Sequence, residues 1–418
     1  MSSALPSYQE AAAIVAARAA QLAQFQPSIE EVGLGAASSR ILAEPIFADH
    51  DQPPFDRSTR DGFACRASEI NTHELLPIGG ATRAGDAPSG PLAPGVAWEI
   101  MTGAPVPAEA DAVVMIEHVE ITPAGIRLLP PRKLSSGENI VPRGAQARHG
   151  DELLAAGNAI TFAQVALAAA CGYASLNVFA RPNVAILTTG DELVPIDAQP
   201  APGQIRNSNA PMLAALVSAA GGEPWILPTA HDNNESLDAA LGQATQADML
   251  LLSGGVSAGK FDLVEPALAR MGAQFHFTGV RIQPGKPLVF GELPKQRQHA
   301  MSCCFFGLPG NPVSSAVTFL LFAAPVLAAF AGLRNSGPRF ALARLSADTD
   351  RRAKPGLTRF LPALCTFNPP TGQFPSVELV PWQGSGDLAA LARSNCFLVI
   401  PEEAATLQAD ETVQILLC

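Results

Sequence analysis

The feature that most constrains the fold is a repeated order of strand, glycine-containing loop and helix between residues 181 and 332. Four short apolar runs have the length and composition of buried strands: 183–187, 225–227, 249–252 and 303–306. Helices are predicted to follow them over 210–220, 235–243, 263–271 and 316–333. Strands and helices that alternate at these lengths predict a doubly wound α/β domain, with a parallel sheet and helices on both faces.

Three loops of this segment leave the carboxyl ends of predicted strands: TTGDEL (188–193), SGGVSAGKFD (253–262) and GLPGNPVSS (307–315). Strand ends of this kind meet along one edge of a parallel sheet, which is where ligands bind in such folds. We therefore expect a binding site at this edge.

The remainder of the 418-residue chain has other patterns of predicted helices, short strands and turns, so we predict an α/β multidomain protein. Helices over 7–25 and 161–171, with a short helix and then a strand within 29–46, suggest a helical linking domain made of residues 1–46 and 146–180. Residues 47–145 alternate short β runs with Pro/Gly turns, which predicts a small β-rich domain. Five short strands within 333–418 predict a small β-barrel.

Charge and composition exclude several function classes. The net charge is −11, which argues against a nucleic-acid surface, because phosphate contacts need clustered Lys and Arg. The apolar run 316–333 is long enough to cross a membrane, but Pro325 interrupts it and no basic cluster flanks it, so we predict a core helix of a soluble protein. The first residues resemble no secretory signal, and we expect a cytoplasmic location without a membrane partner. The seven cysteines form no C-x-x-C pair and are expected to be free, buried thiols.

Two loops have the features of anion-binding sites. In SGGVSAGKFD the spacing from Gly254 to Lys260 nearly fits a P-loop, but Phe261 stands where Ser or Thr would bind magnesium, so a nucleotide hydrolase of that class is not expected. Its glycines let backbone N–H groups approach an anion, although a tight turn before a helix has the same pattern. In GLPGNPVSS, Pro309 and Pro312 stiffen a loop that leads into a helix N-terminus, which suits a phosphate or a pterin.

Basic and acidic residues accompany these loops. Lys286 lies between two prolines in QPGKP, where it is a candidate phosphate contact. Carboxylates occur in loops between predicted elements, at Asp61, Asp191, Glu192, Asp232 and Asp262. For Asp232 and Asp262 a helix-cap role is an equally good reading. Carboxylates beside an anion repel it, by about 4 kcal/mol at 4 Å and surface dielectric, unless a cation lies between them. Mg²⁺ takes carboxylate and phosphate oxygens together, so we expect this cation.

Ten motifs resemble those of a known family and occur in its order over nearly the whole chain: PPFDRSTRDGFA (53–64), IMTGAPVP (100–107), NIVPRG (139–144), TTGDELV (188–194), GQIRNSN (203–209), SGGVSAGKFD (253–262), PGKP (284–287), GLPGNPVSS (307–315), QGSGDL (383–388) and NCFLVIP (395–401). In these motifs the chain resembles the molybdopterin molybdenumtransferases, the molybdenum-insertion enzymes that are related to the C-terminal part of gephyrin.

The resemblance implies four domains: domain I (1–46 and 146–180), domain II (47–145), domain III (181–332), which is of the molybdopterin-binding type, and domain IV (333–418). It implies a homodimer whose active site lies between domain III of one subunit and domain II of the other. There, adenylylated molybdopterin is hydrolysed, AMP leaves, and the pterin dithiolene binds molybdate. Transient partners would be molybdopterin adenylyltransferase and the molybdoenzymes or carrier proteins that receive the cofactor.

The resemblance also assigns residues. The catalytic set is Asp61, Glu192, Asp232 and Asp262, and the metal ligands among them are Asp61, Glu192 and Asp262. The substrate-binding set is Thr102, Ser253, Gly254, Gly255, Ser257, Lys286, Pro309, Gly310, Asn311, Pro312 and Ser385.

The chain departs from the family pattern at three places. Ala145-Gln146 replaces the usual Glu-Asp, Gln283 replaces a common Lys near Arg281, and Leu357 replaces an Arg, with Arg359 two residues further on. The sequence leaves molybdate and tungstate equally acceptable.

Two other functions fit parts of the pattern. A molybdopterin adenylyltransferase would resemble residues 181–332 alone, and the domains at both ends favour insertion instead. A non-catalytic pterin-binding or scaffold protein could keep the same fold, but the retained carboxylates favour an enzyme.

Overall fold

The computed structural model describes residues 5–24, 27–87, 89–255, 263–294, 302–333, 337–349, 356–367, 374–404 and 406–418. The helices are α1 (Tyr8–Leu22), α2 (Ala67–Ile70), α3 (Phe162–Ala170), α4 (Asn209–Ala219), α5 (Asn234–Ala244), α6 (Val264–Arg270), α7 (Pro312–Thr318), α8 (Ala324–Phe330) and α9 (Leu388–Arg393).

The first twelve strands precede residue 180: β1 (Ile29–Gly33), β2 (Ile46–Phe47), β3 (Arg57–Ser58), β4 (Gly62–Cys65), β5 (Ile78–Thr82), β6 (Ala97–Ile100), β7 (Ala112–Met115), β8 (Val119–Thr122), β9 (Gly125–Leu128), β10 (Ile140–Val141), β11 (Glu152–Leu154) and β12 (Ser175–Phe179). Strands β4 to β7 form a four-stranded sheet in the order β5-β6-β4-β7, and β8 and β9 pair as a hairpin. The prediction of a β-rich segment is confirmed.

The predicted short helix within 29–46 is only partly present. The segment begins with strand β1, which pairs antiparallel with β12, and a single 3₁₀ turn follows at Leu34–Ala36. The pairing with β12 holds the backbone of this segment in an extended conformation. Its secondary structure is therefore determined by a tertiary contact and not by its helix propensity. Helix α3, close by in the same packing unit, is present as predicted and carries a capping box between Thr161 and Gln164.

Helix α1 begins at a capping box in which Ser7 and Glu10 bond to each other's backbone N–H groups at 2.7 and 3.2 Å. Its buried residues lie three and four apart and so share one face: Ala11, Val15, Ala19 and Leu22. That face packs into the core of the central α/β unit and contacts α8 there.

The central unit contains nine strands: β13 (Asn183–Thr188), β14 (Leu193–Val194), β15 (Ile205–Arg206), β16 (Glu223–Ile226), β17 (Met249–Ser253), β18 (Gln274–Thr278), β19 (Ile282–Gln283), β20 (Val289–Leu293) and β21 (Cys303–Leu308). Six of them form a sheet in the order β16-β13-β17-β21-β20-β18. Two separate apolar clusters cover it, as the doubly wound prediction requires.

The four strands predicted here, β16, β13, β17 and β21, are parallel to one another, as expected. Two further strands that were not predicted extend the sheet, and β20 runs antiparallel to both β21 and β18. Three of the parallel strands, β13, β17 and β21, lead into the loops that were expected to meet at one edge.

The helix that follows β21 runs from Pro312 to Phe330, with a π-helical segment at Phe319–Ala323 between α7 and α8. Within the described part of the chain it is the one helix long and apolar enough to span a membrane, and 78% of its most apolar window is buried inside the protein. This burial confirms the prediction of a core helix.

The last five strands close into a barrel: β22 (Phe340–Leu345), β23 (Thr358–Thr366), β24 (Ser376–Leu379), β25 (Cys396–Ile400) and β26 (Thr412–Leu417). Their order is β23-β24-β22-β26-β25, and an additional β23–β25 pairing closes the ring. All five strands were predicted, since each is a short β-type run between turns.

Candidate functional site

The carboxyl ends of the parallel strands line a cleft of about 660 Å³. Six of the predicted site residues contribute to its walls: Glu192, Ser253, Gly254, Gly310, Asn311 and Pro312. The sheet topology explains why these residues lie together. Strands β13, β17 and β21 are neighbours, and the loop after each of them leaves the same edge of the sheet. The expectation that the three loops gather here is confirmed for the residues that the structure describes.

The turn after β17 requires its glycines. Gly254 has φ +97°, and a Cβ there would lie 2.6 Å from the carbonyl oxygen of Thr189. Gly255 has φ +64°, and a Cβ there would approach the Thr189 hydroxyl to 2.9 Å. Any side chain would therefore push the loops after β13 and β17 apart. The rest of the second loop, including the predicted site residues Ser257 and Asp262, lies outside the described residues.

A larger cleft of about 1140 Å³ lies between the sheet edge and the C-terminal barrel. Its walls include four predicted site residues, Lys286, Pro309, Asn311 and Ser385. The Asn311 side-chain amide donates a 2.9 Å hydrogen bond to the Ser385 hydroxyl, and Val313 N donates a 3.0 Å bond to the Ser385 carbonyl oxygen. The loop before α7 is thereby tied to the barrel, and Asn311 lines both clefts.

Two basic residues line the larger cleft. Arg359 lines it and is buried at 5% exposure, and this burial lowers the pKa of its guanidinium. The exposed Lys286 lines it as well. Leu357 and Gln283, two of the departures from the family pattern, also lie in its wall. Arg281 does not, and its guanidinium lies 3.6 Å from the Glu402 carboxylate instead.

Asp232 lies beside the same sheet edge but lines neither cleft. Its backbone N–H donates a 3.3 Å hydrogen bond to Asp191 Oδ1, which also lies 3.1 Å from His231 Nδ1. Helix α5 begins two residues later, and its cap is Asn233, whose side chain accepts from Ser236 N at 2.9 Å. Asp232 is therefore not the cap of this helix.

Asp61 and Thr102 form a pair outside the walls of both clefts. Asp61 Oδ1 accepts hydrogen bonds from Thr102 N at 2.6 Å and Thr102 Oγ1 at 2.9 Å. Both bonds lower the pKa of the Asp61 carboxyl below its ordinary value, and the backbone bond contributes the most. Neither residue lines either cleft, so a single chain does not bring this predicted pair together with the others.

Three residues at the clefts were not assigned from the sequence. Thr189 is buried beside Glu192 in the smaller cleft, and its hydroxyl has no hydrogen-bond partner within the part of the chain that the structure describes. Asn209 lines the same cleft and bonds to two of its loops. Trp382 lines the larger cleft. The first two lie within motifs that were singled out, TTGDELV and GQIRNSN, but the direction of their side chains required the fold.

Three family patterns match the chain in order along its length. They are the MoeA N-terminal region (domains I and II) over residues 6–172, a probable molybdopterin binding domain over 185–329, and the MoeA C-terminal region (domain IV) over 344–418. A molybdopterin molybdenumtransferase from Nostoc sp. is 34% identical over 424 residues, which cover 99% of this chain and 94% of that protein. One from Bacillus subtilis is 34% identical over 405 residues, covering 94% and 91%.

The chain belongs to the molybdopterin molybdenumtransferase (MoeA) family. A crystal structure of the molybdopterin biosynthesis protein MoeA from Pyrococcus horikoshii OT3 superimposes with a TM-score of 0.80 at 28% identity, covering 99% of this chain and 100% of that one. A second MoeA structure from the same species gives 0.73 at 31% identity, covering 96% and 98%. The matches at both ends of the chain exclude the fold of an adenylyltransferase that corresponds to residues 181–332 alone. The chain is thus a transferase of molybdenum cofactor biosynthesis.

Proposed function

We propose that the protein inserts molybdate into adenylyl-molybdopterin and releases AMP to give the molybdenum cofactor. The observation that carries this proposal is the pair of clefts joined at Asn311. One cleft presents the Glu192 carboxylate and the glycine turn after β17, and the other presents Lys286 and Arg359. A long substrate with several anionic groups needs both a site for a cation and fixed positive charge, and the joined clefts supply both.

The residues of this chain have distinct tasks in that reaction. The glycine turn at Gly254 and the loop from Pro309 to Pro312 offer backbone N–H groups to the substrate, and the prolines keep the second loop stiff. Lys286 and Arg359 hold anionic groups of the substrate through their positive charge. Water adds across the phosphoanhydride bond, AMP leaves, and the freed pterin keeps its dithiolene for molybdate. The four-domain division, the cytoplasmic location and the transient partners expected from the sequence belong to this proposal.

The donors at the smaller cleft fit a hard divalent cation such as Mg²⁺. Its wall contains the Glu192 carboxylate and the buried Thr189 hydroxyl, for which the described residues provide no hydrogen-bond partner. Oxygen donors of this kind suit Mg²⁺. Within the described residues no group of three His, Cys, Asp or Glu side chains is close enough to hold a metal. Glu192 would therefore hold the ion together with Asp262 and the partner subunit's Asp61. When bound, Mg²⁺ would neutralise charge on the departing phosphate.

The exposed face of helix α3 is a candidate contact surface with a second copy of this chain. None of its nine residues is charged, and Ala168 alone is fully buried. Phe162 is 87% exposed, and it shares a face with Ala166 and Ala169. Helix α4 also lacks charged residues, but Ala210, Leu213 and Val217 bury its apolar face in the core.

The lack of charge on α3 makes contact with a second copy possible. Two chains of charge −11 repel each other, and a two-fold axis places equivalent residues close together. An uncharged stripe is the surface that such an axis tolerates, since no like charges then meet. A homodimer formed around α3 would also account for the separation of Asp61 and Thr102 from the clefts, because the partner would supply them.

One experiment tests the reaction. Purified protein is mixed with adenylyl-molybdopterin, molybdate and MgCl₂, AMP is followed by chromatography, and finished cofactor is assayed by activating a molybdoenzyme that lacks it. We expect AMP release to require both molybdate and the cation, because an acidic site cannot hold two anions unaided. Full-rate AMP release in excess chelator would contradict the proposal.

A second experiment tests the shared site. Asp61→Ala subunits are mixed with Glu192→Ala subunits under conditions that allow exchange. Each heterodimer should contain one intact site, so activity should reappear in the mixture although each parent is inactive. If exchange is demonstrated and the mixture stays inactive, the site is not shared.

A further inference from the structure

Asn209, the first residue of α4, bonds to two loops of the smaller cleft at once. Its side-chain nitrogen Nδ2 lies 2.8 Å from Ser253 Oγ and 2.7 Å from the carbonyl oxygen of Gly310. Ser253 ends strand β17, and Gly310 lies in the loop between β21 and α7. One amide therefore connects the first residue of α4 with the end of β17 and with the loop before α7.

The orientation of this amide is fixed by its partners. The Gly310 carbonyl can only accept a hydrogen bond, so the nitrogen of the Asn209 amide must face it. The other atom, Oδ1, is then turned away; it is buried, and none of the described residues forms a hydrogen bond with it. A buried acceptor without a partner is rare and unfavourable in proteins, and each instance calls for an explanation.

The two loops continue from neighbouring strands, and the ladder between β17 and β21 runs as far as Ser253 and Leu308. Beyond this ladder, Gly254 N lies 3.4 Å from the Leu308 carbonyl oxygen, which is a long bond. A Cβ on Gly310 would lie 3.7 Å from the Gly254 Cα, so the two turns pack closely at this point. The Asn209 amide adds a side-chain bridge that ties the two loops where the ladder ends.

We propose that Asn209 is a positioning residue for the proposed reaction. It holds the turn at Ser253–Gly255 and the loop at Pro309–Asn311 at the separation that the substrate requires, and it accepts an unpartnered carbonyl oxygen as the cost. This inference rests on the proposed function, since it concerns the same cleft. The bridge acts on substrate binding through the loops, so its loss should raise KM more than it lowers kcat.

The test uses two variants and a matched control. Asn209→Ala removes the bridge, and Asn209→Asp keeps its shape but places a carboxylate oxygen against the Gly310 carbonyl. The control is Asn177→Ala, which removes an amide bonded at 2.9 Å to Glu44, away from the cleft. We expect both Asn209 variants to raise KM for adenylyl-molybdopterin about tenfold, with kcat and the melting temperature near those of the parent and of the control. A lower melting temperature or kcat at unchanged KM overturns the proposal, because a purely structural residue behaves in that way.

Amide hydrogen exchange gives a second measurement that does not depend on activity. Without the bridge, the backbone N–H groups of residues 253–255, 310 and 311 should exchange faster in Asn209→Ala, and those of the barrel strands should be unchanged. Unchanged exchange in these two loops overturns the inference whatever the kinetics show. If the parent enzyme and the control release no AMP, the proposed function fails, and the exchange result still decides whether Asn209 positions the loops.

Discussion

Asp61 Oδ1 accepts two hydrogen bonds from Thr102, one from the backbone N–H at 2.6 Å and one from the hydroxyl at 2.9 Å. Asp61 precedes strand β4 and Thr102 follows β6, and these strands are antiparallel neighbours in which Gly62 lies opposite Ile100. The sheet register therefore brings together two residues 41 positions apart. The bonds hold one carboxylate oxygen and stabilise the ionised form.

The first prediction concerns the pKa of Asp61. The backbone bond is the largest cause of its lowering and the hydroxyl bond is the next. Thr102→Val removes the hydroxyl bond alone, so the pKa should rise but stay below the ordinary value of 3.8. Because the folded pKa is lowered, the bonds stabilise the fold above the unfolded pKa, and this contribution is lost as pH falls through the folded pKa. Carboxyl ¹³C NMR titration measures the shift. Thr102→Ser, which keeps the hydroxyl, should titrate like the parent, and an unchanged pKa in Thr102→Val would contradict the assignment.

The sequence predicted the strand and helix order well where each element could be recognised locally. Strands such as β17 and β21 are short apolar runs before glycine loops, and α1 has the four-residue spacing of a buried face. The antiparallel strands β18 and β20 were missed, although the alternation of polar and apolar residues in QFHFT is itself typical of a half-buried strand. The extended state of β1 depends on its pairing with β12, which is remote in sequence.

The sequence predicted which loops form the candidate site but not which side chains bond to one another within it. The loops that carry Glu192, Ser253 and Asn311 were expected to meet, since parallel neighbours end at one edge. The roles of Thr189 and Asn209 were not, because they depend on which atoms a side chain reaches after folding. Asp232 was expected with the others but lies outside the cleft walls, so its predicted catalytic role remains a prediction. The same holds for Asp262 and Ser257, which lie outside the described residues.

The second prediction concerns the dimer. Phe162→Asp places a charge on the exposed stripe of α3 but should not unfold the helix, because an acidic residue is favourable at a helix N-terminus. Two such charges would face each other across a two-fold axis, so the variant should become monomeric and lose insertion activity although every site residue is intact. Light scattering after size-exclusion chromatography measures the mass. Leu342→Asp is the control, since Leu342 is 61% exposed on the barrel, and it should stay dimeric. A dimeric Phe162→Asp would rule out α3 as the interface.

The third prediction concerns a charged cluster that connects α1 with strand β20. Arg18 Nη2 donates a 2.7 Å hydrogen bond to Glu292 Oε2, and His276 Nε2 lies 2.8 Å from Glu292 Oε1. Burial alone would raise the pKa of Glu292, but bonds from Ser302 and His276 and the charge of Arg18 lower it overall. The Glu292 side chain is 12% exposed, so its removal leaves Arg18 poorly compensated.

Glu292→Ala should therefore lower the free energy of unfolding by about 2 kcal/mol. Since the folded pKa of Glu292 is lowered, this contribution is present above the unfolded pKa and should fade as the solution is acidified through the folded pKa. Urea denaturation at neutral and acidic pH measures both effects. Glu120→Ala breaks the exposed pair with Arg127 and should cost less than about 1 kcal/mol. If Glu292→Ala and Glu120→Ala lower the free energy of unfolding equally, burial of the cluster adds nothing to its contribution to stability.

The last prediction concerns Glu192. The Glu192 carboxylate packs against Gly190, since a Cβ added to Gly190 would lie only 2.5 Å from Glu192 Oε2. The space around the carboxylate therefore fits a side chain with the shape of Glu. Glu192→Gln keeps that shape and removes the charge, which a structural role tolerates and a Mg²⁺ ligand does not. We expect a folded dimer with a near-parental melting temperature and turnover lowered at least about tenfold, or 1.4 kcal/mol of barrier. Raised MgCl₂ should partly restore turnover, and Asp262→Asn should behave in the same way. Glu235→Gln, an exposed change in the first turn of α5, serves as the control and should keep full turnover. Molybdenum insertion at the parental rate by both Glu192→Gln and Asp262→Asn would show that these carboxylates do not hold the metal.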